Sequence, residues 1–194
     1  HKWSFPQNAR TEAYPLSCDV GATALYHRAP TFASSDCAAL CVYSELLGNG
    51  PVWEQIRIQR GAYGATCRYF PFEGLWYIGS ARDPNPLATM DILTAIDNAD
   101  YAWTDHELEG AIVTQLKEAP PRPARRCDTL MFAELTGFSY DIRLQHRQQL
   151  LQLSLKDVQQ AAERLRESVG SDRNICIAAS RPLLKKSSLN LISI

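Results

Sequence analysis

The stretch of residues 51–86 constrains the fold more than any other part of the chain. It begins as a short amphipathic helix that breaks at Gly61, a residue that readily permits a sharp change of backbone direction. Two segments with alternating side chains follow, at 62–70 and 74–80, as in half-buried strands. The turn residues between them predict an antiparallel hairpin, so the chain must build a sheet beside a helix.

The remaining patterns predict one strand before the hairpin, a closing strand after it, and several helices. The strands are expected at 19–26 and 174–180. Helical patterns cover 37–47, 53–60, 86–97, 105–117, 127–135, 139–151 and 155–169, with a break at 48–51. Strands and helices do not alternate regularly, which excludes a doubly wound sheet. We expect an α+β fold with a largely antiparallel sheet covered by helices on one face.

The organisation along the chain indicates one domain. A length of 194 residues suits a single full core. We expect a lead-in segment at 1–11, one α+β domain at 12–180 and a loose tail at 181–194. The proline-rich segment 118–126 is interpreted as a solvated connector, and the absence of an initial Met suggests a piece of a longer protein.

Charge and cysteine content limit the partners and the compartment. The net charge is −1, so nothing favours nucleic acid or an anionic membrane as a partner, and no apolar run reaches the roughly 18–20 residues that span a bilayer. Six cysteines occur without a CxxC pair. Cys37 and Cys41 could share a helix face, but Cβ atoms about 5–6 Å apart are too distant for a disulfide. Free thiols predict an intracellular, reducing compartment, either the cytoplasm or an organelle matrix.

Complete catalytic and metal-binding motifs are missing from the sequence. The four histidines lie far apart, and none belongs to an HExxH or HxxEH zinc motif. His106 is interpreted as an exposed residue of a helix-capping turn rather than as a ligand. The sequence therefore predicts no metal site, no cofactor and no stoichiometric zinc in this chain, and no activity of the chain alone.

Two short segments nevertheless resemble a known family. GAYG at 61–64 together with RDPN at 82–85 resembles the insulinase/pitrilysin family of zinc metallopeptidases, in particular its presequence protease branch. A weaker similarity continues through 135–165, so the resemblance covers most of 12–180. The chain departs from the family pattern at Arg60, where the family has glycine, and at Ala81, where it has tyrosine.

The resemblance implies a function for the glycine-marked corner. Enzymes of this family consist of four related domains in two halves around a closed chamber, and this chain is similar to the fourth, C-terminal domain. The zinc then belongs to the missing N-terminal domain, and the implied partners are a peptide substrate and the N-terminal catalytic half of the same protein. Tyr63 corresponds to a catalytic residue that donates to the oxyanion formed during peptide hydrolysis. Arg57, Gly61 and Ala62 correspond to substrate-binding positions, since arginine presents fixed donors to a peptide carbonyl or carboxylate.

Other interpretations of the same residues remain open. The parent could be a non-catalytic family member that acts as an assembly or peptide-binding subunit, and an HxxEH motif upstream would decide against this. A small stand-alone enzyme has no supporting motif. Arg57 and Tyr63 could also have purely structural roles: Arg57 could bind the last carbonyl groups of its helix, and Tyr63 could be half-buried packing. Arg82 and Asp83 are interpreted as a local ion pair that secures a turn.

Overall fold

The computed structural model describes residues 10–117, 126–170, 172–185, 187, 189, 191 and 192. Most of the predicted lead-in segment, nearly all of the proline-rich connector and part of the tail lie outside these residues. The predictions about those segments therefore stay predictions.

One five-stranded sheet forms the centre of the fold. Its strands are β1 (Thr11–Leu16), β2 (Gly21–Arg28), β3 (Gly64–Phe70), β4 (Leu75–Asp83) and β5 (Asn174–Ser180), in the spatial order β1-β5-β2-β4-β3. Only β1 and β5 are parallel within this sheet, and every other neighbouring pair is antiparallel. The predicted hairpin is present as β3 and β4, with Cys67 opposite Ile78. The prediction of a largely antiparallel sheet is confirmed.

Helical segments fill the connections between the strands. They are α1 (Cys37–Leu47), a π-helical segment (Gly48–Ile58), α2 (Pro86–Asn98), α3 (Asp105–Leu116), α4 (Arg126–Thr136), α5 (Tyr140–Gln152), α6 (Leu155–Val169) and α7 (Arg181–Leu184). The Thr104 side chain caps α3 and the Ser154 side chain caps α6, each in a reciprocal capping box. Such boxes satisfy backbone N–H groups that the first turn of a helix leaves unpaired, which explains why both starts are visible in the sequence.

The core lies between the helices and one face of the sheet. Trp76 is fully buried, with Leu25 and Ile78 beside it on the neighbouring and the same strand. The ring of Trp76 stacks with that of Tyr43 of α1, with 5.5 Å between centroids. Side chains of the opposite parity point to the other face and are less buried, and Tyr26 among them is exposed. The expectation of helices on one face of the sheet is confirmed.

The structure corrects the strand prediction before α1. The sequence suggested one strand at 19–26, whereas the structure has two, β1 and β2, and β1 begins inside the predicted lead-in segment. β1 contains a proline and only one fully buried residue, Ala13, so alternation along it is too short to recognise. Its parallel partner β5 lies near the other end of the chain, and only this pairing defines it as a strand.

The break expected at 48–51 is present as a kink at Gly50, where two helical stretches meet. Gly48 keeps helical dihedral angles, whereas Gly50 leaves them, with φ −102° and ψ −106°. The expectation of a loose tail from residue 181 is wrong for its first part. Leu184 of α7 is fully buried, and Leu191 forms a bridge with Ala13 of β1.

Candidate functional site

The backbone turns sharply between the π-helical segment and β3, as the sequence predicts. Gly61 has φ +76°, a left-handed conformation that glycine adopts without steric cost. Its N–H donates to the Arg57 carbonyl at 3.1 Å, and the Ala62 N–H donates to the Ile56 carbonyl at 3.3 Å. These bonds end the helical segment and fix where Tyr63 leaves it.

The corner brings the side chains of Arg57 and Tyr63 together. The Arg57 guanidinium donates a hydrogen bond to the Tyr63 carbonyl oxygen. Its Cζ lies 4.3 Å from the ring centroid of Trp53 and 5.4 Å from that of Tyr63. The Tyr63 side chain is open to solvent, with the residue 64% exposed. Arg57 is thus oriented by two aromatic rings, while the phenol is free to meet a ligand.

Arg82 is a third member of this corner that the sequence did not predict. Its backbone has φ +48°, which is uncommon for any residue other than glycine. The Tyr63 N–H donates to the Arg82 carbonyl at 3.3 Å, and the Arg82 guanidinium lies 5.1 Å from the Tyr63 ring centroid. Attraction between a cation and an aromatic face favours both contacts of the Tyr63 ring with arginine.

The ion pair expected between Arg82 and Asp83 is wrong. Asp83 is fully buried, and its carboxylate accepts hydrogen bonds from the Ser80 hydroxyl at 2.7 Å and from the Asn85 N–H at 2.8 Å. Neighbouring residues of a strand point to opposite sides, so Asp83 turns inward and Arg82 outward. Arg82 therefore contacts Tyr63, and neutral donors satisfy Asp83.

The two other predicted substrate-binding positions contribute backbone only. Gly61 has no side chain, and Ala62 is only 2% exposed. Their N–H groups already bond to the helical segment, so neither N–H is available to a ligand. The corner as a whole offers two guanidinium groups and one phenol hydroxyl. These donors suit a carbonyl oxygen or a carboxylate.

A second cluster, not predicted from the spacing in the sequence, lies between α1 and α5. Cys37, Cys41 and His146 each place one possible ligand atom so that all three atoms lie within 4.8 Å of one another. A hydrogen bond from Cys41 and then the contact with His146 lower the pKa of the Cys37 thiol well below its usual range, although burial opposes this. The bond to Cys37 and burial raise the pKa of the Cys41 thiol.

The fold of the chain is one that solved peptidase structures share. The crystal structure of a peptidase M16 inactive domain from Pseudomonas fluorescens superposes with a TM-score of 0.69 at 17% identity, covering 89% of this chain and 44% of that one. At this identity the similarity concerns the fold alone: the chain has the α+β architecture of this solved domain.

Sequence comparison identifies the family. Residues 22–181 match the family described as the PreP C-terminal domain. The chain therefore belongs to the family of presequence protease C-terminal domains. It is 30% identical over 154 residues to a mitochondrial presequence protease of Emericella nidulans, and 29% identical over 161 residues to one of Gibberella zeae. These alignments cover 77% and 82% of this chain.

The comparisons also show how much of each relative this chain covers. The chain spans 14% and 16% of the lengths of these two proteases. It thus corresponds to one domain of proteins that are several times longer. In the part of the chain that the structure describes, none of the helices is both long and apolar enough to cross a membrane.

Proposed function

We propose that this chain is the C-terminal domain of a zinc-dependent metalloendopeptidase that degrades peptides in a closed chamber. The observation that carries the proposal is the contact between Arg57 and Tyr63, because it places a fixed guanidinium beside an exposed phenol hydroxyl. Membership in the presequence protease family supports it. The chain contributes substrate-binding and transition-state-stabilising groups to a reaction centre that another domain completes.

The roles of the residues follow from their donors. The Tyr63 hydroxyl donates to the peptide carbonyl oxygen as negative charge develops on it, and such a donor acts mainly in the transition state. Arg57, held between Trp53 and Tyr63, binds a backbone carbonyl or a carboxylate of the peptide. Gly61 and Ala62 support substrate binding through the backbone, because their bonds to the helical segment fix the turn that places Arg57 beside Tyr63.

The catalytic zinc of the family does not fit the donors of this chain. The family's zinc motif combines two histidines with a carboxylate, and the only metal-sized group among the described residues is Cys37, Cys41 and His146. We therefore assign the catalytic zinc to the N-terminal half of the parent protein, and the chain alone is expected to be inactive. If the parent lacks an HxxEH motif, the same corner serves a non-catalytic, peptide-binding or assembly subunit.

The partner within the parent protein is its N-terminal catalytic half. Several apolar side chains on α4 and α5 are more than half exposed: Leu130, Met131, Leu135, Tyr140 and Leu151. A surface of this kind is typical of a protein–protein contact, and most of the length of the related proteases lies outside this chain. The relatives described as mitochondrial and the six free cysteines support an organelle matrix as the compartment.

The test of the proposal uses the full-length parent protein and a quenched peptide substrate. Tyr63→Phe should lower kcat by about 100-fold or less, because one lost oxyanion donor costs about 10²–10³ where no metal shares the charge. Arg57→Ala should raise KM as well as lower kcat, since it removes a contact made in both ground and transition states.

A matched control separates these effects from damage to the fold. Tyr26→Phe removes a hydroxyl from a tyrosine that is 36% exposed on the outer face of β2, and it should leave the kinetics unchanged. The melting temperatures of all three variants should stay close to that of the parent. Unaltered kinetics in both corner variants with normal melting would show that the corner has no part in the reaction.

A further inference from the structure

The cluster of Cys37, Cys41 and His146 is independent of the corner and of the proposed peptidase function. Cys37 is the first residue of α1, Cys41 lies one turn later, and His146 comes from the middle of α5. Cys37 and Cys41 are 3% and 9% exposed, and His146 is partly buried. We propose that these three side chains bind a zinc ion that fastens α5 to α1, separate from the catalytic ion of the parent.

The donor set suits zinc in type and in position. Zinc favours four-coordinate sites built from thiolate and imidazole, with bonds of about 2.3 Å to sulfur and about 2.0–2.1 Å to nitrogen. Donors around such an ion lie roughly 3.5–3.8 Å apart, and the three here already lie within 4.8 Å of one another. Side-chain movement of about 1 Å therefore closes the site. A water molecule supplies the fourth position.

Charge balance makes the buried site stable. When zinc binds, each thiol loses its proton to solvent and becomes a thiolate ligand. The charges of two thiolates and one Zn²⁺ cancel, and the imidazole is neutral, so no net charge is buried. The nearby Asp36 carboxylate does not compete as a ligand, because Arg164 binds both of its oxygens at 2.7 and 2.9 Å.

The surroundings provide an outer partner and an entry path. The Tyr69 hydroxyl donates its one hydrogen to the Pro30 carbonyl at 2.6 Å, and it interacts electrostatically with the Cys37 thiol beside it. Outer partners of this kind orient metal ligands. His146 also lines a groove of about 400 Å³ between α5 and the segment before α1, through which an ion reaches the site from solvent.

The architecture explains what such an ion would do. The two cysteines are four residues apart on one helix, which is too far for a disulfide but within reach of one ion. In α5 only Leu150 is buried, so this helix has few apolar contacts to hold it. A metal that joins His146 to α1 adds a fixed link at this weak point. The sequence alone predicted no zinc in the chain, because spacing cannot bring position 146 to 37 and 41.

The experiment is a Co²⁺ titration of the metal-free 194-residue chain, purified without a histidine tag, followed by competition with Zn²⁺. We expect one ion per chain and the sulfur-to-cobalt charge-transfer absorption of a tetrahedral thiolate site. Cys37→Ser, Cys41→Ser and His146→Gln should each weaken binding by more than about 100-fold, because loss of an outer partner alone costs 10–100-fold. Tyr69→Phe should weaken binding by about 10-fold.

Matched controls use residues of the same type outside the cluster. Cys127→Ser and His106→Gln alter exposed side chains and should leave the Co²⁺ spectrum and affinity unchanged. Binding that survives Cys37→Ser, or a spectrum without sulfur charge transfer, would overturn the proposal. A second measurement needs no variant: Zn²⁺ should protect Cys37 and Cys41, but not Cys127, from alkylation detected by mass spectrometry. Equal labelling of all three with and without zinc would also overturn it.

Discussion

Asp97→Asn should be among the most destabilising of the nearly isosteric substitutions in this chain. The Asp97 side chain is only 4% exposed, and its carboxylate accepts from Arg173 Nε at 2.6 Å. The other carboxylate oxygen lies 3.3 Å from His27 Nε2. The carboxylate therefore ties the end of α2 to β2 and to the chain that enters β5.

The structure sets the magnitude of the loss. Removing one partner of a buried ion pair costs about 3–5 kcal/mol, because the other charge stays buried without compensation. Arg173 keeps two neutral acceptors after the change, Asn98 Oδ1 at 2.7 Å and the Gly170 carbonyl, and its side chain is 14% exposed. We therefore expect the free energy of unfolding to fall by about 3 kcal/mol, at the lower end of that range.

An exposed ion pair of the same kind provides the control. Asp100 pairs with Arg166, but the Asp100 side chain is 85% exposed. Asp100→Asn should cost about 0–1 kcal/mol, because water screens the pair in both states. Urea denaturation of both variants measures the difference directly. If Asp97→Asn costs no more than Asp100→Asn, the argument from burial fails.

The pH dependence gives a second check on the same residue. Burial by itself would raise the pKa of Asp97, but hydrogen bonds and charges from His27 and Arg173 outweigh it and lower that pKa. Because the pKa of Asp97 is lower in the folded state, the ionised carboxylate makes its full contribution to the free energy of unfolding above the unfolded-state pKa, about 3.9. That contribution is lost as pH falls through the folded-state pKa. The difference in free energy of unfolding between the unaltered chain and Asp97→Asn should thus be constant near neutrality and shrink below about pH 4. If this difference stays constant down to the lowest pH at which the chain folds, the pKa of Asp97 is not lowered by His27 and Arg173 as described.

Two smaller predictions concern backbone strain and the tail, each measured by urea denaturation. Gly74→Ala should cost more than the 1–2 kcal/mol typical of a left-handed residue, because φ is +61° and a Cβ would lie 2.9 Å from the Ala29 carbonyl. Gly61→Ala, at φ +76° with open space around it, should cost only about 1–2 kcal/mol, and equal costs would refute the steric argument. Leu184→Ala should cost about 2–5 kcal/mol if α7 packs as described, and under about 1 kcal/mol if the tail is loose.

Local signals explain which parts of the fold were predictable. The bounds of α1 and β5 agree with the sequence prediction, and α3 and α6 begin where their capping residues indicate. Periodicity and caps act over a few neighbouring residues, so they can be read from one sequence. β1 and α7 depend instead on contacts with distant segments, and each is too short to show a period of its own.

The same difference between local and long-range contacts distinguishes the two clusters of side chains. The meeting of Arg57 and Tyr63 follows from six residues of local chain around one glycine, and it was visible in the sequence. The approach of His146 to Cys37 depends on how α5 packs against α1, which no local pattern encodes. The contact of Arg82 with Tyr63 is intermediate, because strand alternation indicates an outward side chain but not its unusual φ.

The unusual backbone conformation of Arg82 also bears on what the corner binds. A non-glycine residue at φ +48° costs about 1–3 kcal/mol, and such strain persists only where the surrounding structure determines it. Here the inner neighbour Asp83 is fixed by buried hydrogen bonds, while Tyr63 accepts both guanidinium groups at its exposed ring. Two cations beside one solvent-exposed ring contribute little to the core, so packing alone does not explain this arrangement. An anionic or carbonyl-bearing ligand would gain from both charges at once, and this is the physical basis of the proposal that a peptide binds at this corner.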